Sequence, residues 1–164
     1  MTITAIKQFE KTLDISTGEI CKALPPSINL ERFKRIVLTE IKSNPKLLDC
    51  ALKNPKSLFG AIIKTAQFGL EPGNGLGHAY FVPFGTEVQF MIGYRGMIDL
   101  ARRSGEIESI SAHCVYENDH FEFRYGMRER LDHKPCIENR GKIIAVYAIA
   151  KLKSGGFQFE VMGI

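Results

Sequence analysis

The sequence predicts an α+β fold: an amino-terminal helical lobe followed by a largely antiparallel sheet covered by a basic helix. Three observations predict it. Apolar residues recur at helical spacing as far as about residue 69. Glycine-rich punctuation then takes over in "EPGNGLG", and short β-prone runs separated by glycine turns fill most of the remainder. With 164 residues, 45% of them hydrophobic, the chain can bury one domain's core. Residues 1–28 read as an amino-terminal segment with scope to be flexible. Residues 29–164 read as a single domain, a helical lobe to about 69 and an α+β core over 70–164.

The helical lobe follows from spacing and caps. Leu30, Phe33, Val37 and Ile41 recur at helical intervals after "PPSIN". Asn44-Pro45 stops that helix and offers a cap and a first-turn proline to the next, and Asn54-Pro55 repeats the device. In "KSLFGAIIKTAQFG" the residues Leu58, Phe59, Ile62, Ile63 and Ala66 share a face, Ser57 is available as N-cap, and Gly69 can end the helix in a left-handed conformation.

The β-rich part follows from alternation and turns. "HAYFVPFGTEVQFMIG" is a hairpin about Gly85-Thr86, its first strand at an edge or bulged because of Pro83. The helix 93–104 follows. "IESISAHCVY" is a long strand, Phe121, Phe123 and Tyr125 alternate on another, and "KIIAVYAIAKLK" and "FQFEVM" flank a hairpin at Ser154-Gly155-Gly156. Residues 126–141 are polar and loop-like.

Several function classes lack their residues. Cys21, Cys50, Cys114 and Cys136 form no CxxC pair, so reduced thiols are expected and a zinc site is not. His78, His113, His120 and His133 lack metalloprotease spacing, Asp119-His120 suits a turn, and Glu117 with Asp119 makes only a weak metal candidate. No Gly-Lys-Ser/Thr follows the glycines, and neither a nucleophile elbow nor a triad can be assembled. No cofactor is expected. The start of the chain lacks the pattern of a secretory signal, and no apolar run is long enough for a membrane span, so a cytoplasmic protein without a membrane partner is expected.

A net charge of +4 is compatible with a polyanionic partner but does not demand one. The stretch "GYRGMIDLARRSGEI" is more specific. On a helical wheel Tyr94, Met97, Ile98 and Ala101 share one side, while Arg95, Asp99 and Arg102 share the other with Arg103 at its edge. Two readings stand. The i,i+4 pairs of Asp99 with Arg95 and Arg103 support the helix by roughly 0.2–0.5 kcal/mol each; alternatively, the surplus guanidinium charge holds phosphates. Gly93 would let a phosphate reach the first-turn amides, and Gly73, Gly75 and Gly77 could line a groove with theirs or form an ordinary turn. Tyr80, Phe81, Phe84 and Phe90 lie nearby as candidates for base stacking, although half of them must face the core.

The blocks "GLEPGNGLGHAYFVPFG", "VQFMIGYRGMIDLARRSGEI" and "VYENDHFEF", with "YAIAKLKSGGFQFEVM" downstream, resemble the RecT family of phage and prophage single-strand annealing proteins. The similarity covers most of the chain beyond about residue 25. It implies an ATP-independent protein of homologous recombination that binds single-stranded DNA, anneals it to its complement and forms no covalent intermediate. It also implies a homo-oligomer that holds the annealed duplex and works with a 5′-to-3′ exonuclease and a host single-strand binding protein. With the resemblance, the face of Arg95, Arg102 and Arg103 is expected to contact DNA, with Arg95 and Arg102 the leading phosphate contacts and pairing with Asp99 the alternative for Arg103. Lys64, Lys56, His78, Gly73, Gly75 and Gly77 are secondary groove residues, Tyr80 is a stacking candidate, and Tyr94 either touches the strand or buttresses the helix, its place on the apolar side favouring the second. Family members continue with further helices beyond "FQFEVM", so the chain is expected to be shortened, either naturally or as an amino-terminal core. A truncated prophage remnant that self-assembles without productive annealing is the alternative.

Overall fold

A computed structural model describes residues 2–73 and 75–164. The chain divides into two compact units, one ending at Leu100 and the other running from Ala101 to Ile164.

The first unit begins with α1 (Thr2–Ile15) and α2 (Thr17–Ala23). These lie in the stretch expected to have scope for flexibility, yet Leu13 and Ile20 are buried in the core. Three tandem helices follow, α3 (Leu30–Ser43), α4 (Pro45–Lys53) and α5 (Pro55–Phe68). Each opens with an asparagine whose side-chain oxygen accepts an orphan first-turn amide: Asn29 from Arg32 at 2.9 Å, Asn44 from Leu47 at 3.2 Å and Asn54 from Ser57 at 3.3 Å. Asn54, not Ser57, is therefore the N-cap of α5. Proline at the first helical position places the cap one residue earlier, and the Ser57 hydroxyl instead accepts the Val88 amide at 3.0 Å. Gly69 ends α5 at φ 59°, as its position predicts.

The apolar face of each helix turns inward. Phe33, Val37 and Ile41 meet Leu47, Leu58 and Ile62 in one core. Burying a side chain of this size contributes about 1.5–3 kcal/mol, so this cluster dominates the unit's stability. Strands β1 (Ala79–Phe84) and β2 (Glu87–Ile92) form an antiparallel hairpin across Gly85-Thr86 whose inner residues Phe81 and Val88 join the same core. Pro83 stands opposite Val88 in a regular register, so β1 is an edge strand rather than a bulged one. Helix α6 (Tyr94–Arg103) follows and carries the chain into the second unit.

The second unit is built from β3 (Ile107–Tyr116), β4 (His120–Arg124), β5 (Arg130–Lys134), β6 (Ile143–Leu152) and β7 (Phe157–Gly163). Strands β3, β6 and β7 make an antiparallel sheet in that order, and the β4–β5 hairpin is separate, so the described strands form three small antiparallel sheets in all. Val115, Ala145 and Tyr147 from the larger sheet pack with Phe121 and Leu131 from the hairpin. Strand β5 occupies the stretch expected to be a loop. Its sequence "RLDHK" has one strong apolar residue, Leu131, and its other inward residue, His133, is polar.

Candidate nucleic-acid interface

Three close backbone approaches fix the loop after α5 to the start of α6. The Gly93 amide donates to the His78 carbonyl at 2.9 Å. A Cβ on Gly93 would lie 2.3 Å from the Gly77 carbonyl oxygen, and one on Gly96 would lie 2.1 Å from that of His78. Only glycine permits either approach. Gly77 adopts φ 68°, and a Cβ there would sit 3.5 Å from Cδ of Arg95. The loop thus presents Arg95 beside Gly77, with the guanidinium Nε donating to the Tyr94 hydroxyl at 3.0 Å. Both side chains are exposed.

Tyr94 does not buttress the helix as expected: it is 67% exposed, and Met97 is 57% exposed. The buried residue of α6 is Gly96, because a bare backbone comes closest to the hairpin. A wheel ranked by side-chain hydropathy passes over such a contact, although the repeated glycines of "GYRG" were its visible signal. Tyr80 is half-buried, with its ring against Gly93 and its hydroxyl beside Gly77. That wedge position favours loop support over base stacking. Among the other aromatics, Phe81 is buried, Phe84 is 69% exposed at the hairpin tip, and Phe90 stacks on Phe68.

The glycine amides are less available than the sequence suggests. Gly73 donates to Ala79 at 2.8 Å, Gly77 to Gly73 at 3.3 Å, and Gly93 to His78. These groups serve the loop. Gly75 stands open, and Asn74 lies outside the described residues. Arg102 and Arg103 occupy the last turn of α6 with exposed side chains. Lys56 and Lys64 line a different groove of about 720 Å³ between α5 and β2.

A cleft of about 870 Å³ beside α3 contains Arg32 and Arg35, which sequence reading passed over. Their signal was the i,i+3 spacing on the face of α3 opposite Phe33 and Val37. Arg32 is already held by Glu71 through two bonds of 2.7 and 2.9 Å, an arrangement that keeps the Glu71 carboxyl below its usual range. Glu31 and Glu40 line the same cleft, and burial pushes the Glu40 carboxyl up. With three carboxylates facing two guanidiniums, this cavity is poorly suited to a polyanion.

In the second unit the side chain of Asp119 is fully buried. It accepts bonds from the amides of Tyr116 and Cys136 and from Nε of Arg140, at 3.0, 2.8 and 3.0 Å. His133 adds a contact of 3.0 Å and reaches the Tyr147 hydroxyl at 3.2 Å through its other ring nitrogen. The Arg140 guanidinium holds the Asp119 carboxyl far below the usual carboxylate range. These donors satisfy both oxygens, so the group ties strands together and does not present an open ligand. Glu117 likewise accepts the Lys142 amide. Among the described residues no helix is long and apolar enough to cross a membrane.

Residues 31–164, from α3 to β7, match the RecT family. The chain belongs to the RecT family. It is 48% identical to Protein RecT of Escherichia coli (strain K12) over an aligned length of 152, with 88% of this chain and 55% of that protein covered. It is also 35% identical over 66 residues to Uncharacterized protein YqaK of Bacillus subtilis (strain 168), covering 40% of this chain and 23% of the relative. The chain therefore spans about half of the RecT relative and about a quarter of YqaK. The RecT-family match includes the glycine loop, Arg95 and the α5 groove.

Proposed function

We propose that this RecT-family chain binds single-stranded DNA and pairs it with its complement in homologous recombination, without nucleotide hydrolysis and without bond-making catalysis. The observation that carries the reading is the setting of Arg95, an exposed guanidinium held beside a glycine-locked loop. A fixed fork of donors suits phosphate oxygens. Such contacts position a strand without reading its sequence, which leaves base edges available for pairing. Arg95 and Arg102 are the principal phosphate contacts in this proposal, with Arg103, Lys56, Lys64 and His78 subsidiary. The protein acts as a homo-oligomer that retains the annealed duplex, supplied with strands by a 5′-to-3′ exonuclease and alongside a host single-strand binding protein.

The test is the pairing rate of two complementary end-labelled oligonucleotides in low salt without nucleotide. Acceleration by the folded protein supports the proposal, and an unchanged rate sinks it. The second reading, a self-assembling form without productive annealing, draws on exposed apolar residues of the larger sheet, Ile144 at 46% and Met162 at 65%. A salt-independent oligomer that ignores single strands would favour it.

A further inference from the structure

Helix α5 contains a glycine with no internal purpose. Gly60 lies in mid-helix, where glycine is less favourable than alanine, yet a Cβ there would meet nothing within 4 Å among the described residues. The contrast with Gly93 and Gly96 is direct, since both of those are required by packing. Lys56 and Lys64 stand one turn to either side of Gly60, and all three line the groove against Gln89 and Phe90 of β2. Phe68, one turn further along, is 42% exposed and stacks on Phe90 with centroids 5.6 Å apart and planes at 13°. Thus Lys56, Gly60, Lys64 and Phe68 form a single i,i+4 row on the exposed face of the helix.

We infer that this row is a second single-stranded DNA track, with Lys56 and Lys64 holding phosphates, Gly60 admitting the sugar-phosphate backbone between them, and the Phe68–Phe90 pair receiving a base. It rests on the single-strand reading above. The lysines are eight residues apart, which is about 12 Å along a helix. That is the length of roughly three to four phosphates at stacked spacing. Among the described residues lining the groove, one carboxylate, Glu87, faces two ammonium groups, a surplus of one positive charge. Flat aromatic surface beside a cationic row holds any base, since every base has a π-face. Strand β2 leads directly into Gly93 and Arg95, so the track adjoins the loop site within the same unit.

Gly60→Glu provides the test because the position has room and glutamate favours a helix more than glycine does. The new carboxylate would pair with both lysines and repel phosphate. Binding of a fluorescent oligo-dT should weaken several-fold in Gly60→Glu while the melting temperature holds or rises. In Lys56→Ala/Lys64→Ala the slope of log affinity against log salt should become shallower by about 1.4, roughly a sevenfold smaller loss between 50 and 200 mM salt. Ultraviolet cross-linking of oligo-dT to the unmodified protein should mark the peptides carrying Phe68 or Phe90. Wild-type affinity and slope in both variants, with oligo-dT binding still weakened by Arg95→Ala, overturns the α5 track alone. No binding of oligo-dT by the unmodified protein in low salt overturns the single-strand reading and the track together.

Discussion

Gly96 and His78 are in backbone contact: a Cβ at Gly96 would stand 2.1 Å from the His78 carbonyl oxygen. The obstruction is main chain, which cannot swing aside as a side chain can, so a side chain at this position forces α6 and the loop apart. Gly96→Ala is therefore expected to destabilise the protein by about 1–3 kcal/mol, against the usual gain for alanine in a helix. Gly60→Ala, where a Cβ meets open space, is expected to stabilise by about 0.5–1 kcal/mol. Urea denaturation of the two variants should give opposite signs, and equal signs would refute the account of the loop junction.

Arg95→Ala/Arg102→Ala should weaken binding to single-stranded DNA and reduce the salt slope by about 1.4, as two lost phosphate contacts require. Arg95 donates outward to Tyr94 and is exposed, so the fold should survive its removal. Unchanged affinity and slope in a folded double variant would dismiss that face of α6.

Asp119 makes stability depend on acid. Its carboxyl is held below the usual range by Arg140 first, with the amides of Cys136 and Tyr116 and the His133 ring adding to it. A carboxyl with a lowered folded pKa contributes its full stabilisation above the unfolded value of about 3.9 and loses it as the pH falls through that value toward the folded one. Asp119→Asn should lower stability at neutral pH and flatten the loss seen between about pH 5 and pH 2. Denaturant midpoints measured across that range would show it; parallel curves for the two proteins would contradict it.

Asn54 caps α5, and Ser57, the other cap that spacing offers, binds the hairpin instead. Asn54→Ala removes a helix cap and should cost about 0.5–2 kcal/mol. Ser57→Ala leaves the Val88 amide without its side-chain acceptor and should cost about 1–3 kcal/mol. If thermal unfolding showed Ser57→Ala to be neutral, the tie between α5 and the hairpin would carry no weight.

Much of this fold was legible because its determinants are local. Alternation and glycine turns gave β3 and the final hairpin, and the asparagine–proline pairs gave the breaks between α3, α4 and α5. What escaped depends on distant partners. The outward position of Tyr94 follows from a contact between Gly96 and His78, and the role of Asp119 from residues 133, 136 and 140. Strand β5 escaped because its inward His133 is satisfied by Asp119 and Tyr147, a pairing that periodicity does not register.

The Asp119 carboxylate also alters how the polar segment after β5 behaves over time. Cys136 lies outside every strand, yet its amide is bonded to a carboxylate that solvent does not reach. Exchange with solvent deuterium at that amide requires its bond to Asp119 to open, and is therefore expected to be slow for a residue outside the strands. One amide in a stretch as hydrophilic as a surface loop is thereby expected to keep the slow clock of a strand interior.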